Sequence, residues 1–488
     1  MISVDGTRLC ARDIAVLARR ADSFEVTPAA LDRVRRSYEF GERTVTMRPI
    51  YGRSTGVGAN RDVTIVDPAA QADALMRSHA TTAGPARSRE RIRAMLAVRL
   101  NQLAAGGSGV SLEVFDALET MLAQDTLPPV RELGSIGTGD LPALALTALA
   151  LAGLAPTDPP ASTSVALGIG DVLPLLSSNA ATIGDAALGL VAVRDLARAA
   201  VVVSAITFVA VDGNHEAFDL AVERVTPFEG ARLVCRAMRR LTHPDEPRHP
   251  RRAPARIQDP FGLRTLPQVH GALLDQLAGL DATLNHMVNA PSENPVLLPD
   301  VGLAHHGGFH ATHLAQALDV TALALAESAQ LSLARLTMLS EPLSTGQAAF
   351  LGDGTPGASG VMVVEYVSAS ALARLRALAT PASLQSLTLS RGVEEDASIA
   401  ALAATQVLSA VDEYRVILAC ELVAAIRCLR MRSITTPPGL AHALTHCARL
   451  NDELRDRDLT PDLDAAAVIV AELDIDDDLI PQGVKNPS

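Results

Sequence analysis

Lysine is almost missing from this sequence. The one copy is Lys485, close to residue 488, and every other fixed cation is an arginine. Pyridoxal enzymes and Schiff-base aldolases need a lysine amine in the core, so both classes are excluded. Tryptophan is absent and aromatic residues make up 3% of the chain, so any core must be built from Ala, Leu and Val. The formal charge of −13 argues against nucleic acid as a partner, because phosphate backbones demand clustered Lys and Arg. Long apolar runs are also lacking. The most apolar windows, 141–155 and 199–211, fall short of the ~20 residues that span a bilayer, so no membrane partner is expected. The five cysteines (Cys10, Cys235, Cys420, Cys428 and Cys447) are scattered without a C-x-x-C pair. That usage suits reduced thiols in a cytoplasmic protein. Asp5, Arg8, Arg12 and Asp13 interrupt the start of the chain, so no signal peptide is expected.

What is present in quantity is helix-forming apolar sequence. Apolar residues are 48% of the total, and Ala and Leu are among the strongest helix formers. An all-α fold follows, as a bundle of long helices with functional loops at one end. Thr27-Pro28 reads as a helix start, with Thr as cap and Pro at the first helical position. The pattern is helical over 69–105, with Gly84-Pro85 read as a turn inside it. Further tracts are expected at 111–123, 141–152, 180–240, 265–290, 310–339, 361–379, 398–432 and 440–455. The Pro-, His- and Arg-rich stretch 239–256 reads as a surface loop. Asp474, Asp476, Asp477 and Asp478 give the end of the chain an acidic, solvated and partly disordered character. Three regions are drawn: 1–195, carrying two glycine-rich loops; 196–440, a central bundle of long helices; and 441–488, a C-terminal helix with the acidic tail.

The chemistry is expected in ordered motifs. Tyr51-Gly52-Arg53-Ser54-Thr55-Gly56-Val57-Gly58 resembles the Tyr-Gly-x-x-Thr-Gly-x-Gly loop of the histidine/phenylalanine ammonia-lyases, the aromatic amino acid lyase family. Ser78-His79-Ala80 resembles its Ser-His-Ala-Ala segment. Gln258-Asp259-Pro260-Phe261-Gly262-Leu263-Arg264 is similar to Gln-Asp-Pro-Tyr-Ser-Leu-Arg. Ser292-Glu293-Asn294-Pro295 is similar to Ser-Asp-Asn-Pro, and Gly307-Gly308-Phe309-His310 to Gly-Asn-Phe-His. Glu394-Glu395-Asp396 falls where the histidine enzymes carry Gln-Glu-Asp-His, with Glu394 on the Glu. The matches run in order over roughly 45–435.

The resemblance implies an ammonia-lyase-like fold, a homotetramer whose active sites gather loops from several subunits, and a small amino acid or carboxylate as substrate. It also implies roles. Tyr51 would be the base, which requires a nearby cation or backbone dipole because a free phenol titrates near ~10. Arg264 would clamp the substrate carboxylate as a bidentate fork. His79 and Glu394 would read an imidazole-like side chain, with Gln258, Phe261, Phe309 and Asn179 completing the substrate site. Each has a plainer reading: a packing tyrosine, a surface ion pair, a satisfied core histidine, a helix-start carboxylate.

The family makes its electrophile, a methylidene-imidazolone, from its own backbone in Gly-Ser-x-Gly-Ala-Ser-Gly-Asp. The Gly amide attacks the Ala carbonyl and the Ser dehydrates. Here the loop is Gly134-Ser135-Ile136-Gly137-Thr138-Gly139-Asp140, one residue shorter: counted back from Asp140, Gly137-Thr138-Gly139 stands for Ala-Ser-Gly; counted forward from Gly134, the Ala is missing; either way the serine is gone. A dehydrated Thr138 would carry an extra methyl on the attacked carbon. Phe261 lacks the hydroxyl of the family's second tyrosine, and Leu175-Leu176-Ser177-Ser178-Asn179 stands for Leu-Leu-Asn-Gly-Thr. The expectation is therefore a lyase-family enzyme that keeps base and clamp without the standard electrophile and without another cofactor. A conventional ammonia-lyase or aminomutase acting on a histidine-like substrate, and a non-catalytic binding homologue, are the alternatives. No metal is expected: His305, His306, His310 and His313 resemble a cluster, but the family's own segment supplies His310 without one. The acidic triplet 394–396 reads as a helix-start cluster, and the glycine loop lacks the Lys-Ser/Thr ending of a phosphate loop.

Overall fold

The computed structural model describes residues 1–243 and 256–482. Most of the expected loop at 239–256, and Lys485, lie outside the described residues. The principal helices are α1 (Pro68–His79), α2 (Arg89–Ala104), α3 (Leu141–Leu151), α4 (Ala180–Ala210), α5 (Leu266–Val288), α6 (Thr312–Ser340), α7 (Met362–Leu378), α8 (Ala400–Arg432) and α9 (Thr460–Glu472). Strand is confined, among the described residues, to three two-stranded pairs. β1 (Ile2–Val4) runs parallel to β2 (Phe24–Val26). β3 (Ala83–Ala86) is antiparallel to β4 (Arg131–Leu133), and β5 (Val296–Leu298) to β6 (Gly302–Ala304).

The expected all-α architecture is the observed one, and its centre is α4. Nearly every residue of that 31-residue helix is buried, as befits a helix apolar on all sides. It packs against α8, α2, α5 and α6, while α8 also packs on α6 and α7. The 195/196 division drawn from sequence falls inside this helix. One buried carboxylate joins three of the helices. Glu421 on α8 accepts from Thr207 Oγ1 on α4 at 2.7 Å, from Ser332 Oγ on α6 at 2.6 Å, and from Arg335 Nε and Nη2 at 2.7 and 2.8 Å. A fully buried charge is tolerable only when paired and hydrogen-bonded in this way.

Thr27 caps its helix as expected, accepting from the Ala30 amide at 3.3 Å. Four local expectations are corrected. Gly84 and Pro85 lie in β3, not in a turn, because the Arg87 amide and β4 draw the chain into an extended pair. The tract 180–240 is broken after Ala210, where Asp212 takes a left-handed φ of 52°. The helix expected over 440–455 extends only from Ala441 to Cys447. The acidic tail is docked through residue 482. Arg198 of α4, 1% exposed, donates to Asp474 Oδ1 at 2.8 Å and lies 3.2 Å from Asp477, while Leu473, Ile475 and Ile480 are buried. A guanidinium inside the bundle needs counter-charges, and the tail supplies them.

Candidate active site

The 134–140 loop enters from β4 and ends at the N-terminus of α3. It is tied down along its length. The Ile136 carbonyl accepts from the Ile399 amide at 2.8 Å. The Gly137 carbonyl accepts from Ser398 Oγ at 2.8 Å and from the Ala311 amide at 3.2 Å. The Gly139 amide donates to Asn179 Oδ1 at 3.0 Å, and the Asn179 amide group donates in turn to the Phe309 carbonyl. Asp140 is fully enclosed. It accepts from the Thr182 amide at 2.7 Å and the Thr182 hydroxyl at 2.9 Å, and burial pushes its carboxyl above the usual range.

Gly137 has φ +84°, and a Cβ there would stand 2.1 Å from Ser398 Oγ and 2.8 Å from the Ala400 nitrogen. Only glycine fits this backbone and this space. Counted back from Asp140, this is the position that the family fills with alanine, and it is closed to alanine here. Thr138 is half-buried and lines a cavity of about 1500 Å³. Counted back from Asp140, Thr138 stands at the family's serine and Gly137 at its alanine, with the Gly137 carbonyl held by Ser398 Oγ and the Ala311 amide.

Tyr51, His79, Phe309 and Glu394 line the same cavity as Thr138. Five separate stretches of sequence are thus brought to one cavity. The Tyr51 hydroxyl accepts from the Gly58 amide at 2.6 Å, and the Tyr51 amide donates to His305 Nε2 at 3.2 Å. Burial raises the phenol above its ordinary value; the Gly58 amide and Arg61 act the other way, and Glu394 reinforces burial. His79 ends α1, with Nδ1 3.0 Å from the Leu75 carbonyl. Glu394 is half-buried in a turn whose ends pair at Leu389 and Glu394, ahead of α8, whose first residue is Ala400. The triplet 394–396 is therefore not a helix-start cluster, because the chain reverses there before the helix begins. Asp396 lies 3.4 Å from His310 Nε2 and accepts from Ser386 Oγ at 2.5 Å.

The expected site residues do not all meet in one chain. Asn179, 1% exposed, stands behind the loop as its support. Gln258, Phe261 and Arg264 form a cluster of their own. Arg264 Nη1 donates to Gln258 Oε1 at 2.7 Å, its guanidinium lies 4.7 Å from the Phe261 ring centroid, and Phe261 is 63% exposed. The Gly262 carbonyl is held by Arg335, about 35 Å along α6 from the cavity end of that helix at 1.5 Å per residue. Three of the histidines that resemble a cluster in sequence have separate partners: His305 accepts from Tyr51, His306 Nε2 donates to the Glu293 carbonyl at 2.6 Å, and His310 faces Asp396. Among the described residues no three His, Cys, Asp or Glu side chains gather as a metal-ligand set, and no helix is long and apolar enough to cross a membrane.

Sequence reasoning missed Ser398, Arg61 and Arg48, all of which bear on the loop or the cavity. No local pattern signals Ser398, which meets Gly137 only through the fold. Arg61 follows the Tyr51 motif closely, and its proximity could have been found by counting along that loop.

The sequence pattern described as "Aromatic amino acid lyase" matches residues 9–449. A histidine ammonia-lyase of Symbiobacterium thermophilum is 32% identical over 490 residues, covering 95% of this chain and 96% of that protein. The Homo sapiens histidine ammonia-lyase is 32% identical, covering 96% of this chain and 76% of that protein. Among solved structures, a tyrosine aminomutase mutant with bound ligand aligns with a TM-score of 0.90 at 25% identity, covering 96% of this chain and 97% of that one. The histidine ammonia-lyase of Trypanosoma cruzi aligns at 0.89 and 24% identity, covering 100% and 98%, and shares the fold.

Proposed function

We propose that this chain, which belongs to the aromatic amino acid lyase family, works in its large cavity on an amino acid or small carboxylate without the family's standard electrophile. Its class is carbon–nitrogen lyase. The observation that carries the reading is the single cavity lined by Tyr51, His79, Glu394 and Thr138, beside a loop that is packed around Gly137.

In this reading Tyr51 takes a proton from substrate carbon, the electron pair of that C–H bond forms a C=C bond, and the amine leaves with the pair of the broken C–N bond. Its oxygen holds the Gly58 amide at 2.6 Å, a dipole that favours the phenolate. His79 and Glu394 present a ring nitrogen and a carboxylate to the substrate side chain, which suits an imidazole-bearing amino acid such as the histidine of the relatives' names. Arg264 fixes the substrate carboxylate. Because its own chain holds it far from the cavity, the clamp is delivered by a second copy, in a homotetramer. The exposed cluster of Gln258, Phe261 and Arg264 is the surface that would enter the neighbour's pocket.

The test is turnover by the assembled protein of L-histidine and a panel of amino acids and small carboxylates, with Tyr51→Phe as control. We expect turnover of at least one compound, lost about 100-fold or more in Y51F, as general-base removal usually costs, with binding kept. Full turnover by Y51F would remove the base assignment. A conventional histidine ammonia-lyase is the second reading, favoured by the relatives at 32% identity.

A further inference from the structure

The segment 51–65 folds back on itself. The Ile65 amide donates to the Ser54 carbonyl at 3.0 Å, the Gly56 amide donates to the Val63 carbonyl at 2.9 Å, and Thr55 pairs with Thr64. One residue at the bend serves both arms. The Gly58 amide donates to the Tyr51 hydroxyl at 2.6 Å, and the Gly58 carbonyl accepts from the Arg61 amide at 3.2 Å. Arg61 is thereby returned to the cavity wall that Tyr51 occupies. Its guanidinium is half exposed, and its nearest carboxylate, Asp62, stands 3.9 Å away. That distance is too long for the tight pairing that would neutralise it.

From this loop geometry we infer that Arg61 is a positioning residue for Tyr51: it supplies a positive charge that favours the phenolate of the half-buried Tyr51, the form that acts as base. The inference rests on Tyr51 being the base. A buried phenol resists ionisation, and the Gly58 dipole offsets only part of that cost. Two charged groups of the same cavity act on Tyr51: Glu394, from the 389–396 turn, opposes ionisation, and Arg61, from its own loop, favours it. Arg48, His79, His305 and Asp62 line the same cavity. Arg53, the other cation of this loop, is buried against Glu42 and the Gly109 carbonyl, so Arg61 is the loop's cavity-lining cation, carried on a backbone that Gly58 ties to the phenol.

The chain is well suited to a direct test. It has four tyrosines and no tryptophan, so tyrosinate absorbance can be followed without an indole background. We would titrate the intact protein from pH 8 upward until far-UV circular dichroism reports unfolding, comparing wild type, Tyr51→Phe, Arg61→Gln, Arg61→Lys and Glu394→Gln. Y51F should delete one step. R61Q should move that step up by roughly half a pH unit or more, the scale of a partly exposed charge pair. R61K should leave it near the wild-type position, and E394Q should move it down. A step that stays in place in R61Q overturns the inference. So does a wild-type curve from which Y51F removes nothing before unfolding. Failure of the base assignment is separate: it would appear as undiminished turnover by Y51F, whatever the titration shows.

Discussion

The Ser398 hydroxyl donates to the Gly137 carbonyl at 2.8 Å across 261 positions of sequence, and it stands 2.1 Å from where a Cβ on residue 137 would be. One contact thus does two things. It holds the carbonyl of the loop, and it fills the space that a methyl on residue 137 would need.

An alanine at position 137 should therefore be damaging. Gly137→Ala combines a left-handed backbone with an overlap against Ser398 and the start of α8. We expect a loss of about 2–5 kcal/mol in urea unfolding. Adding Ser398→Ala should recover part of it, leaving the backbone strain. A stable single variant would mean that the loop is looser than its hydrogen bonds imply.

The separation of Arg264 from the Tyr51 cavity within one chain predicts complementation. Tyr51→Phe and Arg264→Ala should each be inactive alone. Co-expressed and randomly assembled, they should restore roughly a quarter of the sites, because each site would draw its base and its clamp from different chains. Activity of the mixture no greater than that of either variant would place both groups in one chain's site.

The core predicts an acid-sensitive stability. His270 is fully buried, with Nδ1 2.7 Å from Ser328 Oγ and Nε2 2.9 Å from the Ala197 carbonyl, and burial pulls its pKa down to about 4. The native state refuses a proton that the unfolded chain accepts below ~6.5. This contribution is complete above pH 6.5 and is lost as the pH falls toward 4, roughly 3 kcal/mol in all. Urea unfolding from pH 7 to pH 4.5 should show a steeper loss in wild type than in His270→Gln. Equal slopes would mean that His270 is protonated in the fold.

Much of this architecture was legible because it is local. The Ala- and Leu-rich runs form the helices they favour, Thr27 caps where expected, and the motifs around Tyr51, His79, Thr138, Phe309 and Glu394 reach one cavity. What was illegible depends on distant partners. Nothing near Gly137 announces Ser398. Nothing near Asp474 announces that a buried Arg198 will hold the tail. The Arg264 motif could be recognised, but its distance from Tyr51 is set by the length of α6, which no motif records.

The central claim is that residues 137–139 remain an ordinary peptide. The most direct measurement is the mass of a proteolytic fragment containing residues 134–144, taken from protein purified without reducing or nucleophilic additives. The account predicts the unmodified mass. A fragment lighter by two water molecules would show that Gly137, Thr138 and Gly139 had cyclised and dehydrated, and would contradict it.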